Sequence, residues 1–590
     1  MTNSTISARR LPGLSATLPG CLLLLALTHP CEGAEPGMGQ PAPLAGQCTG
    51  LPNLMAGHFP DASTHLTSAQ VVAKGTVKVT DLGGMERSVP VPEHCEITAV
   101  AQERAGAGGQ HYAIRFHLRL PLEWNGRFFF QGGGGSNGNL GDALGGYSQA
   151  APAALTQGFA VVSQDSGHDN ALNNDPAHGG VLAFGFDETA RANYGHSSLP
   201  VVSKAAKAVI AKFYGSAPHY SYFVGCSKGG EEGMVLAQRY PEEFDGIAAG
   251  APGMSLPRAA VEEAWDTQAL AGIIKPDASG KISLQQLESA FSDGDLALVR
   301  EAVLKACDKD DGAEDGIIGN FAQCTSKKVL PQLQARRCSA GKADQCLSAT
   351  QISALTHLMS GAQDHTGRAL YSDWPWDTGI ASPGWRAWKL GGGGGPPSLN
   401  VLLGGPSLAS VFTTPPTPLG ADPQQALNFL LQFNFDRDAP KIYATDSQFP
   451  KSAWDDISAR SADLGGFRAR RGKLIVTHGV SDPVFSINDT LAWWREVNKQ
   501  AAGKASAFVR VFPVPGMNHC GGGPATDGFD VMPALTEWVE KDHAPEQILA
   551  SADPATPWPK RTRPLCVYPA IARYKGNGDL DSAANFECRE

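Results

Sequence analysis

Tyr222–Gly230 reads Tyr-Phe-Val-Gly-Cys-Ser-Lys-Gly-Gly, and this stretch decides how the rest of the chain is read. The apolar run Tyr222 to Val224 predicts a short buried strand. Gly225 to Gly229 fits G-x-S-x-G, and a helical pattern through Met234, Val235, Leu236 and Tyr240 follows, ending before Pro241. A strand, a sharp turn and a helix in that order hold a serine hydroxyl at the carboxyl edge of a sheet. Free N–H groups at the helix N-terminus then face any negative charge that develops beside Ser227. A serine that only caps a glycine-rich turn would give the same five residues, so the partners of Ser227 decide between the two readings.

Working outward, Tyr112, Ile114, Phe116, Leu118 and Leu120 alternate with Ala113, Arg115, His117 and Arg119. That is the period of a half-buried strand. Arg127-Phe-Phe-Phe130 predicts a central strand, and it runs into Gln131-Gly-Gly-Gly-Gly-Ser-Asn137. A glycine loop there lets a backbone N–H approach a substrate with no Cβ in the way. Phe159 to Val162 and Phe244 to Pro252 predict further strands, with helical spacing from Leu199 to Tyr214 between them. Lys473 to Gly479 and Phe508 to Pro513 predict two more, each followed by a helical pattern, Leu491 to Val497 and Val531 to Val539. Strands alternating with helices indicate an α/β fold with a mostly parallel sheet. The stretch from Cys48 to Cys95 has a mixed pattern, and Cys566 to Cys588 is expected to be a tail loop.

Two residues complete a constellation with Ser227. Asp482 follows the strand Lys473–Gly479, and His519 follows the strand at Phe508–Pro513. Ser, acid, His is the chain order of the α/β-hydrolase fold, and each member sits just after a strand. In that arrangement His519 takes the serine proton, and Asp482 fixes the tautomer and steadies the imidazolium. His478 competes as a base but precedes the acid at a strand end; Asp165 competes as an acid but precedes the nucleophile. Cys226 adjoins Ser227 and Cys520 adjoins His519, so a bridge between them would tie the two loops together.

Composition bounds the rest. The 590 residues carry 42% hydrophobic and 18% charged side chains, as a globular chain does. A formal charge of −10 argues against nucleic acid as a partner. Arg9 and Arg10 precede the apolar run Leu18 to Leu27, which is too short to span a bilayer and predicts an export signal over residues 1–34. Two of the 12 cysteines, Cys21 and Cys31, fall in that signal. The remaining set is even, with no C-x-x-C pair, which favours disulfides in a secreted or periplasmic protein over metal ligation. No later segment predicts a membrane span, and a monomer is expected. Between residues 253 and 470 the strand–helix rhythm gives way to Trp, Pro and Gly clusters, including the glycine run at Gly391–Pro397. The organisation read from the sequence is therefore a signal over 1–34, a core over 35–252, an inserted lid over 253–470 and a second core segment over 471–590.

Cys226-Ser227, Asp482 and His519-Cys520 give the chain a resemblance to the tannase and feruloyl esterase family. The stretches Glu123–Phe129, Ala251–Gly253, Gly384–Arg386, Val514–Cys520 and Ile571–Gly576 extend it over nearly the whole mature chain. The match is nearest to members that hydrolyse mono(2-hydroxyethyl) terephthalate. The resemblance implies a serine esterase acting on esters of aromatic acids of feruloyl, galloyl or terephthalate-monoester type. It implies Ser227, Asp482 and His519 as the catalytic residues, with the backbone N–H groups of Gly135 and Lys228 as oxyanion donors. Leu256, Trp388 and Phe485 are implied as walls of an aromatic cleft. It further implies a structural Ca²⁺ held by Asp308, Asp311 and Asp315 with the carbonyls of Ala313 and Ile317, and clustered hard oxygens separated by glycine suit that ion. The implied bridges are Cys48–Cys95, Cys226–Cys520, Cys307–Cys324, Cys338–Cys346 and Cys566–Cys588. Leu399 and Leu403 stand where the terephthalate-hydrolysing members have an arginine and a phenylalanine; Lys389 is nearby, and both a solvent-facing placement and one swung inward to do the arginine's task stay open. A site without that arginine is expected to prefer uncharged esters. The alternative reading is a phenolic- or carbohydrate-binding protein on a hydrolase scaffold that has lost turnover.

Overall fold

Phe128, Phe129 and Phe130 are all fully buried, yet they serve two different cores. Phe128 and Phe130 pack on one face of a sheet and Phe129 on the other, as the alternation of a strand requires. A strand buried on both faces reads as an unbroken apolar run, which is why this segment was legible. The structure, a computed structural model, describes residues 44–80, 86–148, 150–392 and 395–590. The export signal expected over 1–34 lies outside the described residues.

Nine strands form the central sheet: β1 (His65–Val72), β2 (His94–Ala105), β3 (His111–Pro121), β4 (Arg127–Gln131), β5 (Ala160–Gln164), β6 (Tyr220–Cys226), β7 (Gly246–Gly250), β8 (Lys473–Gly479) and β9 (Val509–Val514). Their order across the sheet is β1-β2-β3-β5-β4-β6-β7-β8-β9. β1, β2, β3 and β5 pair antiparallel. From β5 to β9 all pairs are parallel. The helices Ser198–Tyr214, Lys228–Arg239 and Ile487–Gln500 cover one face, and Met532–Lys541 covers the other with Leu535 and Trp538.

Among the described residues between β7 and β8, no strand joins this sheet. The chain runs instead through helices that include Leu256–Ala271, Asp293–Cys307, Ala349–Met359 and Pro383–Lys389. Apolar residues of this insertion, such as Leu270, Phe291 and Trp374, belong to the same buried cluster as Phe128 and Phe223 of the sheet. Residues 43–590 accordingly form one unit.

The tail differs from the expected loop. Gln547–Ser551 pairs with Thr562–Cys566, and Ile571–Tyr574 pairs with Phe586–Arg589, both antiparallel. These strands are four or five residues long and carry Arg573 and Arg589, so no apolar alternation announces them. Among the described residues there are five disulfides, Cys48–Cys95, Cys226–Cys520, Cys307–Cys324, Cys338–Cys346 and Cys566–Cys588, the pairs that the resemblance implies. Among the described residues, no helix is long and apolar enough to cross a membrane.

Candidate active site

Ser227 sits at the turn between β6 and the helix Lys228–Arg239 with φ 64° and ψ −120°. A non-glycine residue in the left-handed region is strained, and here the surroundings fix it. The Ser227 N–H donates to Gly250 O at 3.0 Å, and Ser227 O accepts from Gly253 N at 3.2 Å. The turn is tight because glycine backbones touch. A Cβ on Gly225 would lie 2.6 Å from Gly229, and one on Gly229 would lie 2.6 Å from Gly133 O. That second contact presses the glycine loop after β4 against the start of the helix.

Ser227 Oγ lies 2.8 Å from His519 Nε2, and His519 Nδ1 lies 2.8 Å from Asp482 Oδ2. The other carboxylate oxygen, Asp482 Oδ1, accepts from the N–H groups of Val484 (2.8 Å) and Phe485 (3.1 Å). Burial works to raise the Asp482 carboxyl, but the charge of His519 and hydrogen bonds from His478 and His519 outweigh it and hold it well below the usual carboxylate range. Asp482 is therefore ionised at neutral pH and suited to face an imidazolium.

The competing residues lie elsewhere in the network. His478 is fully buried, bridging Thr490 Oγ1 (2.9 Å) and Phe485 O (2.9 Å), and it stands 3.5 Å from Asp482. Asp165 pairs with Arg115 at 2.8 Å.

The glycine loop is anchored from beneath by Glu232, a residue that sequence reading missed. Glu232 Oε2 accepts from Gly133 N at 2.9 Å and Oε1 accepts from Asn137 Nδ2 at 2.8 Å. Lys228 Nζ pairs with Glu231 at 2.5 Å and reaches Glu232 at 3.5 Å, all three side chains being buried. The Lys228 side chain is thus tied inward. Gly135 has φ 56°, and neither its N–H nor that of Lys228 has an acceptor among the described residues.

Two aromatic side chains flank His519, and Leu256 lies next to one of them. The Trp388 and Phe485 rings meet the imidazole edge-on, with centroids 5.6 and 5.3 Å away. Leu256 and Phe485 meet over Gly253, where a Cβ would lie 3.1 Å from Leu256 Cδ2 and 2.9 Å from Phe485 Cζ. Of the two placements open to Lys389, the structure has the inward one. Lys389 is 1% exposed, bonded to Asp266, with Nζ 4.5 Å from the Trp374 ring centre. A lysine is buried when paired, and a single sequence does not reveal the partner. Leu399 is half-buried, and Leu403 is 41% exposed.

The acidic loop after the helix Asp293–Cys307 is held by backbone donors. Asp308 Oδ1 accepts from Gly316 N at 3.1 Å, and Asp311 accepts from Ala313 N at 3.0 Å and Gly319 N at 2.9 Å. Asp315 pairs with Arg563. Burial, aided by repulsion from Asp315, pushes Asp308 up to about 6 and Asp311 up to about 7. Among the described residues no group of three His, Cys, Asp or Glu side chains is set to hold a metal ion.

A family model for tannase and feruloyl esterase matches residues 95–589. The chain is 44% identical to mono(2-hydroxyethyl) terephthalate hydrolase of Piscinibacter sakaiensis, over 84% of this chain and 85% of that one. It is 30% identical to a probable feruloyl esterase of Arthroderma benhamiae, over 80% and 81%. Among solved structures, feruloyl esterase B from Aspergillus oryzae superposes with a TM-score of 0.69 at 21% identity, covering 92% of this chain and all of that one. Tannin acyl hydrolase from Aspergillus niger gives 0.64 at 19% identity, covering 93% and 96%. These two likenesses concern the fold, an α/β-hydrolase fold. The reading as a binding protein without turnover is set aside by these relatives. The chain is an ester hydrolase and belongs to the tannase and feruloyl esterase family.

Proposed function

We propose that this protein is an exported serine esterase that cleaves esters of aromatic carboxylic acids through an acyl-enzyme on Ser227. The observation that carries the reading is the unbroken chain Ser227–His519–Asp482, with 2.8 Å at each step, flanked by Trp388 and Phe485. His519 Nε2 takes the hydroxyl proton as Ser227 Oγ attacks the ester carbonyl carbon. The oxyanion forms against the N–H groups of Gly135 and Lys228. His519 returns the proton to the departing alcohol, and water, deprotonated by the same imidazole, then releases the aromatic acid. The export reading rests on the apolar run Leu18 to Leu27 and is supported by five disulfides.

The preferred ester is an uncharged one. A carboxylate entering an apolar cleft loses hydration that a cation or several hydrogen-bond donors must replace. Lys228 and Lys389, both near the site in sequence, are buried and engaged by Glu231 and Asp266. Leu399 and Leu403 offer only apolar surface. The test is hydrolysis of methyl ferulate, methyl gallate and mono(2-hydroxyethyl) terephthalate by the wild type and by Ser227→Ala. The reading requires turnover of an aromatic ester that Ser227→Ala abolishes.

A structural Ca²⁺ is part of the proposal. Asp308 and Asp311, with the carbonyls of Ala313 and Ile317, would supply the hard oxygens, and a dication would relieve the repulsion of Asp315 on both carboxylates. Asp315 would join them on leaving Arg563. The ion would hold the lid loop, and no step of ester cleavage runs through it.

A further inference from the structure

The insertion also grips the backs of the two loops that carry Asp482 and His519. We propose that Asp377, within the lid strap 371–382, is a positioning residue that sets the Asp482–His519 geometry. The inference rests on the proposed function, since it concerns the same triad.

Asp377 is 2% exposed, and its hydrogen-bond partners are Thr378, Ser481 and Gly516. Its Oδ2 accepts from Ser481 Oγ at 2.8 Å and from Gly516 N at 2.6 Å, and its Oδ1 accepts from Thr378 N at 2.8 Å. Ser481 immediately precedes Asp482, and Gly516 opens the loop that carries His519. One carboxylate from the lid thus joins both loops, which arise from β8 and β9. The joint continues along the strap. Ser481 Oγ accepts from Gly379 N at 2.9 Å. Asn518, the neighbour of His519, donates to Gly379 O at 3.3 Å and to Ser481 O at 3.1 Å, and it accepts from Ser382 Oγ. At the near end of the strap, the Tyr371 hydroxyl accepts from Ser486 N at 3.0 Å, and Asp373 O accepts from Ser486 Oγ at 2.5 Å.

The packing leaves no slack at this joint. A Cβ on Gly379 would come within 2.4 Å of Ser481 Cβ. The cavity beside it, bordered by Asp377, Ser481, Asp482 and Lys389, measures ≈ 20 Å³, room for a single water. A carboxylate that accepts three hydrogen bonds in so dry a place fixes the direction of each donor. Its removal leaves Ser481 Oγ and Gly516 N without their acceptor and loosens the joint between the two loops, which Asn518 and Ser481 then hold with fewer bonds. A lid residue that only shaped the substrate cleft would act on KM. A residue that aligns Asp482 with His519 acts on kcat, because misplacing a reacting group by about 1 Å costs about 10²-fold.

The test compares Asp377→Ala, Asp377→Asn, Ser481→Ala and the Asp377→Asn/Ser481→Ala double variant in the full-length protein. The assay ester is whichever of methyl ferulate, methyl gallate or mono(2-hydroxyethyl) terephthalate the wild type turns over fastest. Asp377→Ala is expected to lower kcat at least about tenfold with KM within about twofold. Asp377→Asn, which keeps one acceptor oxygen, is expected to fall between Ala and wild type. Asp377→Asn and Ser481→Ala are expected to combine for less than the sum of their effects, as residues in one network do. A folded Asp377→Ala with wild-type kcat, or with its whole effect in KM, would overturn the inference. Should Asp377→Ala not fold, the cycle decides, and strict additivity would equally overturn it. Full turnover by Ser227→Ala would instead refute the proposed function, a separate outcome.

Discussion

Cys226 and Cys520 lie immediately before Ser227 and immediately after His519, and their bridge spans 294 residues of sequence with the Cα atoms 6.0 Å apart. Replacing both by alanine perturbs stability and geometry together. Closing a loop of 294 residues restricts the unfolded chain by about 5–6 kcal/mol on the chain-entropy account, and losing a native bridge typically costs about 2–5 kcal/mol. In a chain this long the entropy of unfolding is large, so a loss of about 4 kcal/mol lowers Tm by only about 3–4 °C. Activity is the more sensitive readout. Cys520 has φ 61°, in the left-handed region, and without the bridge that strain is free to relax and carry His519 with it. A shift of about 1 Å between Ser227 Oγ and His519 Nε2 corresponds to about 10²-fold in kcat. The assay is steady-state hydrolysis beside differential scanning calorimetry of Cys226→Ala/Cys520→Ala. Wild-type Tm and kcat in the double variant would refute the reasoning. A fallen Tm with kcat retained would refute its geometric half.

Three further outcomes are expected. Asp308 and Asp311 sit at about 6 and about 7 in the folded chain against 3.8 unfolded. The folded state therefore holds their protons more tightly, and their contribution to stability falls as pH rises from 3.8 through about 7. Calcium needs them ionised, so adding Ca²⁺ to chelator-treated protein should raise Tm more at pH 8 than at pH 5, and an equal shift at both would contradict the assignment. Glu232→Ala removes the acceptor of Gly133 N and Asn137 Nδ2, and loosening the loop that carries the proposed oxyanion donor, Gly135 N–H, should lower kcat by about 10²-fold with the helix content unchanged in circular dichroism. Leu399→Arg should shift kcat/KM toward mono(2-hydroxyethyl) terephthalate over methyl ferulate by at least about tenfold, the worth of a charged hydrogen bond of about 1.5–3 kcal/mol; a wild-type preference for the charged ester would refute the premise.

What the sequence discloses is what repeats along it or sits beside a strand end. The phenylalanine run of β4, the glycine elbow at Ser227 and the residues following β8 and β9 are local patterns, and they lead to the sheet and to Ser227, Asp482 and His519. β1 escapes that reading because only Leu66 is buried in a strand of eight residues. Glu232 and Asp377 escape it for a different reason. Each acts through hydrogen bonds to loops about 100 or more residues away, and such partners leave no period in a single chain. The placement of Lys389 stays open in the sequence on the same ground, since Asp266 lies 123 residues earlier.

The most direct test of the account is where a covalent serine reagent attaches. Full-length protein treated with a fluorophosphonate should gain one label, mapped by peptide mass to Ser227, with activity lost in step with labelling. Ser227→Ala should take no label and hydrolyse no ester, and His519→Ala should label far more slowly. A label on any other residue, or ester turnover that survives in Ser227→Ala, would contradict the assignment of Ser227 as the residue that carries the acyl group.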